Sequence, residues 1–240
     1  MTTVLPAAAL VFDLDGTLVN SEPHYYEANR RVLAGHGVRD FSWEQYTRYI
    51  GVGALDALIA QRAEYGIAAP AQELLAEQDR CYLELIRGRI EVFPGMARLV
   101  ELAHTAGLPM AVASGSTREA IDAALTGSAV GALLPVRVSA EEVPRGKPEP
   151  DVFEAAARRL GVPPERCVVV EDAAPGVTAA LRAGMRCVAV PSVLRAADEA
   201  VFAGAGLCFP GGQDTFDADA VLAWIGRAAG GEPAAGRAGS

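Results

Sequence analysis

The sequence is poor in lysine. Of its 21 basic residues only Lys147 is lysine, and the rest are arginine. A chain that uses arginine almost everywhere has kept one ammonium, a compact point charge on a flexible stem that a planar guanidinium does not replace. Positive charge is also short overall. The formal net charge of −9 argues against a nucleic-acid surface, which needs clustered Lys and Arg. It leaves a small anionic substrate open, because a local site can be positive on a negative protein. No apolar run reaches the length of a transmembrane helix, and no membrane partner is expected. Residues 1–10 lack a basic leading region and run straight into Val11-Phe12-Asp13, so they read as the entry to a strand rather than a signal peptide. Cysteine is sparse and scattered. Cys81, Cys167, Cys187 and Cys208 form no CxxC pair, which argues against a disulfide framework or a thiolate metal site. Reduced, mostly buried thiols in a cytoplasmic protein are the expectation. Of the histidines, His36 lies in a glycine turn and His104 within an amphipathic helix. Only His24 is a candidate for touching substrate.

What is present suits a globular chain with a real core: 51% apolar and 21% charged residues over 240 positions. That length holds one large domain, or one with a smaller domain inserted. Residues 7–13 form a short apolar run ending in Asp-Leu-Asp-Gly-Thr and read as a buried strand. From Ser21 to about Arg89 apolar residues recur at helical spacing, as in Leu74, Leu75, Tyr82, Leu85 and Ile86, with no convincing strand. The aromatic group Tyr25, Tyr26, Trp43, Tyr46 and Tyr49 in this block reads as its core. From Phe93 onward helices and strands alternate, with strands at 109–113, 136–139, 167–170 and 186–190. Such alternation implies parallel pairing with right-handed crossovers. The expected architecture is therefore α/β: a Rossmann-like doubly wound parallel sheet formed by residues 1–20 and 91–229, with a helical cap inserted at 21–90. The Gly/Ala-rich tail 230–240 reads as disordered. A monomer is expected.

In open α/β sheets, ligands bind beyond the carboxyl ends of the strands. Those ends here deliver Asp13 and Asp15, then Ser114-Gly115-Ser116, then Gly146-Lys147-Pro148, then Glu171-Asp172. Crowded carboxylates repel one another unless a cation joins them. Oxygen-only ligands favour Mg²⁺, which commonly shares its shell with substrate phosphate. Lys147 and the Ser114 hydroxyl would offset the remaining phosphate charge, and the helix starting near Thr117 would offer backbone N–H groups to the same anion. An aspartate is an established type of phosphoryl acceptor.

The motifs DLDGT at Asp13, Ser114 after an apolar strand, GKPEPD around Lys147, and VEDA around Glu171-Asp172 together resemble the four motifs of the haloacid dehalogenase superfamily. The helical insert resembles the cap of its phosphoglycolate phosphatase and β-phosphoglucomutase branch. The resemblance implies a hydrolase acting on a small phosphorylated metabolite, such as a sugar phosphate or a phosphoglycolate-like compound. It makes Asp13 the nucleophile and a metal ligand. Asp15 becomes the general acid and then the base, with its backbone carbonyl on the metal. Asp172 becomes a magnesium ligand, and Glu171 a ligand or its neighbour. Thr17, Ser114, Gly115, Ser116 and Lys147 become the phosphate-binding set.

Within that branch a mutase places His, Lys and Arg where this sequence has Tyr25, Ile50 and Ala54. A mutase must hold a second phosphate, so the missing groups favour a phosphatase, unless Arg48 and Arg118 replace them in space. A catalytically silent ligand-binding relative is disfavoured by the intact Asp13, Asp15, Lys147 and Asp172.

Overall fold

The computed structural model describes residues 8–50, 52–87, 90–193 and 199–226. The tail at 230–240, expected to be disordered, lies outside the described residues.

The first strand, β1 (Ala9–Phe12), is followed by helices α1 (Glu22–Gly35), α2 (Trp43–Thr47), α3 (Ala54–Tyr65) and α4 (Ala71–Ile86). Then come α5 (Pro94–Thr105), β2 (Met110–Ser114), α6 (Arg118–Leu125), α7 (Ala129–Leu133) and β3 (Val136–Ser139). The chain continues through α8 (Asp151–Leu160), β4 (Cys167–Glu171), α9 (Ala174–Arg182) and β5 (Arg186–Ala189). It closes with α10 (Glu199–Ala203), β6 (Leu207–Cys208) and α11 (Ala218–Ile225). The strands pair in parallel in the order β3-β2-β1-β4-β5-β6, the doubly wound arrangement the alternation implied. The short helix α7 carries no clear apolar period. Its start is set by Ser128, whose hydroxyl accepts from the Gly131 N–H at 2.9 Å.

The sheet is apolar on both faces because it is covered on both. Leu10, Phe12, Val168 and Val170 point into one helix layer with Met96, Leu99 and Ile121. Ala9, Val11, Cys167 and Val169 point into the other with Phe153, Val177 and Phe202. The two-residue alternation of each strand thus feeds two cores at once.

Helices α1 to α4 build a separate apolar cluster that includes Val32, Leu33, Phe41, Leu58, Ile67 and Leu74. Helix α4 buries Ala71, Leu74, Gln78, Tyr82 and Ile86, a stripe at three- and four-residue spacing that packs on α1. The chain leaves and re-enters the sheet layer through adjacent segments. There Asn20 N–H donates to the Glu91 carbonyl at 2.8 Å, and Phe93 N–H donates to the Leu18 carbonyl at 3.1 Å.

Candidate active site

Strands β1, β2 and β4 end side by side, and the residues just past their carboxyl ends converge. Asp13 is buried directly after β1, its N–H donating to the Val170 carbonyl of neighbouring β4 at 3.0 Å. The Lys147 ammonium donates to Asp13 Oδ1 at 2.5 Å and to Glu171 Oε1 at 2.7 Å, and lies 4.9 Å from the centre of the Phe153 ring. Burial by itself would lower the Lys147 pKa. The Asp13 and Glu171 carboxylates outweigh it and hold the group above its ordinary value, so it stays an ammonium.

Asp13, Glu171 and Asp172 present carboxylate oxygens within 4.8 Å of one another, and all three are buried. One ammonium serves this group. Burial first, then the charges of Glu171 and Asp13, push Asp172 well above the usual carboxylate range. Burial and Asp13 raise Glu171 against the opposing pull of Lys147. Such a set is costly to ionise without a cation, and its oxygen-only chemistry fits a hard divalent metal. The Asp15 carboxylate stands outside this trio.

Glycine makes the trio possible. Gly16 lies at φ +76°, in the left-handed region, and a side chain there would meet Asp172 Oδ2 at 2.5 Å. Gly176, in the first turn of α9, is tighter still. A Cβ on it would stand 1.6 Å from Glu171 Oε1, so the carboxylate lies directly against the helix backbone.

Asp15 is gripped from several sides. Ser116 Oγ donates to its Oδ2 at 2.5 Å, Ser114 Oγ to the same oxygen at 3.4 Å, and the Tyr82 hydroxyl to its Oδ1 at 3.0 Å. Burial and the neighbouring Asp13 charge raise its pKa. The Ser116 and Tyr82 hydrogen bonds oppose that rise.

Two sequence-based expectations meet specific contacts in the structure. Thr17 was assigned to phosphate binding, but it is fully buried away from the cavity wall and donates to Asp172 Oδ1 at 3.0 Å. That bond holds one carboxylate of the trio in place. The start of α6 was expected to offer free N–H groups to an anion. Two of them are satisfied by side chains, the Ala120 N–H by the Thr117 hydroxyl at 3.2 Å and the Arg118 N–H by Glu141 at 2.9 Å. Ser114, Gly115, Ser116 and Lys147 do line the cavity with Asp13 and Asp15, and His24 does not.

The cavity above these residues has a volume of about 510 Å³ and is lined on its other side by residues of α1 to α4. Here the aromatic group divides. Tyr26 packs against the helical core with the exposed Trp43 edge to face on it at 5.3 Å, whereas Tyr25, Tyr46 and Tyr49 line the cavity. Tyr25 stacks on Tyr82 at 3.9 Å, and its hydroxyl shares a hydrogen bond with Ser116 at 3.2 Å. Tyr82 escaped the sequence reading because its position in the α4 stripe is that of a core residue.

The family model for haloacid dehalogenase-like hydrolases matches residues 7–184. The chain belongs to this family. Among haloacid dehalogenase-like relatives, Protein CbbY of Rhodobacter capsulatus is 32% identical over 80% of this chain and 88% of its own. (DL)-glycerol-3-phosphatase 2 of Arabidopsis thaliana is 34% identical over 76% of this chain and 78% of its own. A CbbY variant from Rhodobacter sphaeroides, crystallised with xylulose-(1,5)bisphosphate, superposes with a TM-score of 0.71 at 29% identity, covering 88% of this chain and 99% of that one. The family and the parallel α/β fold thus agree with the motifs read along the sequence.

Proposed function

We propose that this protein is a magnesium-dependent phosphatase that hydrolyses a small phosphorylated metabolite through an aspartyl-phosphate on Asp13. The observation that carries this is the arrangement of Asp13 between a buried ammonium, Lys147, and a second carboxyl group, Asp15, whose pKa is raised. In this reading an Asp13 carboxylate oxygen attacks phosphorus while the bond to the leaving oxygen breaks. Asp15 gives that oxygen its proton. Water then attacks phosphorus, Asp15 takes back a proton, and inorganic phosphate leaves with Asp13 restored. Lys147 and Ser114 hold the transferring group. Magnesium held by Asp13, Asp172 and Glu171 would supply the positive charge that lets carboxylate and phosphate approach. Helices α1 to α4 act as a cap over the reaction and set which alcohol enters.

The named phosphatase among the relatives supports the reaction type. The cap wall supports hydrolysis over mutase chemistry. Tyr25, Ile50 and Ala54 line it, and neither arginine considered as a substitute does. Arg48 pairs with Glu64 at 3.0 Å, and Arg118 with Asp122 at 3.1 Å and Glu142 at 3.3 Å.

The test is phosphate release from a broad panel of phosphorylated metabolites with magnesium, alongside Asp13→Asn. Release from a narrow group, lost in the variant, is expected. Interconversion of sugar 1- and 6-phosphates without release would move the assignment to mutase.

A further inference from the structure

The side of the cavity formed by α1 to α4 carries two carboxylates and several amide and hydroxyl groups among its apolar residues. Glu22 and Asn29 come from α1, Tyr46 from α2, Gln61 from α3, and Gln78 and Asp79 from α4. Asn29 and Gln61 are buried and exchange two amide hydrogen bonds, at 2.9 and 3.0 Å, which fixes both side chains. Glu22 Oε2 accepts from the Tyr46 hydroxyl at 2.7 Å. Gln78 is 6% exposed, and its Oε1 is buried without a hydrogen-bond partner. A buried acceptor left unpaired is costly, so a ligand that brings a donor to it is favoured.

Cations are missing from the same wall. Among the described residues, Lys147 is the sole basic side chain lining the cavity, and Asp13 and Glu171 already engage it at the phosphoryl end. An anionic group on the leaving alcohol would be stripped of water beside Glu22 and Asp79 with no counter-charge. A hydroxyl or ammonium would instead donate to these oxygens.

We propose that the substrate is a monophosphate whose leaving group carries hydroxyl or ammonium groups and no carboxylate or second phosphate. A cavity of about 510 Å³ accommodates a leaving group of sugar size. The inference rests on the phosphatase reading and narrows it. It sets the chain apart from the CbbY variant crystallised with a bisphosphate, and from any phosphatase specific for phosphoglycolate.

The test compares four matched esters as competitors of aryl-phosphate hydrolysis, so each is ranked whether or not it is turned over. Glucose 6-phosphate and glucosamine 6-phosphate carry hydroxyl and ammonium groups. Gluconate 6-phosphate adds a carboxylate, and glucose 1,6-bisphosphate a second phosphate. The first two are expected to compete about tenfold or more tightly than the last two. The double variant Glu22→Gln, Asp79→Asn is expected to shrink that gap. Equal or tighter competition by the carboxylate or the bisphosphate in the wild type overturns the inference while leaving the phosphatase reading intact. Aryl-phosphate hydrolysis that is absent, or that persists in Asp13→Asn, would overturn the reading and the inference with it.

Discussion

Tyr82 donates its hydroxyl to Asp15 Oδ1 at 3.0 Å, so a helix of the insert holds the acid group that the first strand delivers. Burial, then the Asp15 charge, raises the Tyr82 hydroxyl far above its ordinary pKa, and it remains a donor throughout the working range. Tyr82→Phe keeps the ring stacked on Tyr25 and removes only that donor. Losing one hydrogen bond to a carboxyl group held for proton transfer is expected to lower kcat by about tenfold with little change in KM. Steady-state kinetics check this, and an unchanged kcat would contradict the positioning role.

Lys147 touches two carboxylates at 2.5 and 2.7 Å and is 12% exposed, leaving little room for a larger planar group. Lys147→Arg keeps the charge but not the shape. The expected result is a fall in kcat of about 100-fold or more, with the far-ultraviolet circular dichroism retained.

Glu171 rests on the backbone of α9 only because residue 176 has no side chain. Gly176→Ala is therefore expected to displace the Glu171 carboxylate and raise the magnesium concentration for half-maximal activity by about tenfold. Gly35→Ala in α1 meets nothing within 4 Å and serves as the control, with its magnesium requirement unchanged.

The raised pKa values of Asp15, Glu171 and Asp172 fix the sign of a pH effect. Between the ordinary carboxylate pKa and the raised folded values, the folded chain holds protons that the unfolded chain has released. In chelator, these groups make the protein lose stability as pH rises through that window, by about 1.4 kcal/mol per unit of raised pKa. Under the proposed metal role, magnesium would compete with the protons for the same oxygens. The rise in Tm on adding magnesium should therefore be larger at pH 8 than at pH 5.5, as thermal denaturation would show.

Much of the site was legible because the chemistry sits where parallel strands end. Asp13, Ser114 and Glu171 each close or follow an apolar run, and one sheet brings these distant stretches of sequence together. Lys147 stood out as the single ammonium in an arginine-rich chain. The cavity wall was not legible in the same way. Gln78 and Tyr82 share the buried stripe of α4 with Leu74 and Ile86, and periodicity cannot tell a residue facing a core from one facing a substrate. The available signal was polarity, since Asn29, Gln61 and Gln78 are amides at buried helical positions. The bond from the Thr17 hydroxyl to Asp172, 155 residues away, was not legible either, since local spacing does not reveal such a partner.

The central claim is a covalent intermediate on Asp13. The most direct measurement is mass spectrometry of the wild-type protein, quenched in acid during turnover and digested. The account predicts that the peptide containing Asp13 carries one phosphoryl group, and that this modification vanishes in Asp13→Asn together with phosphate release. Phosphate release at the wild-type rate in Asp13→Asn, or turnover with no phosphoryl group on that peptide, would contradict it.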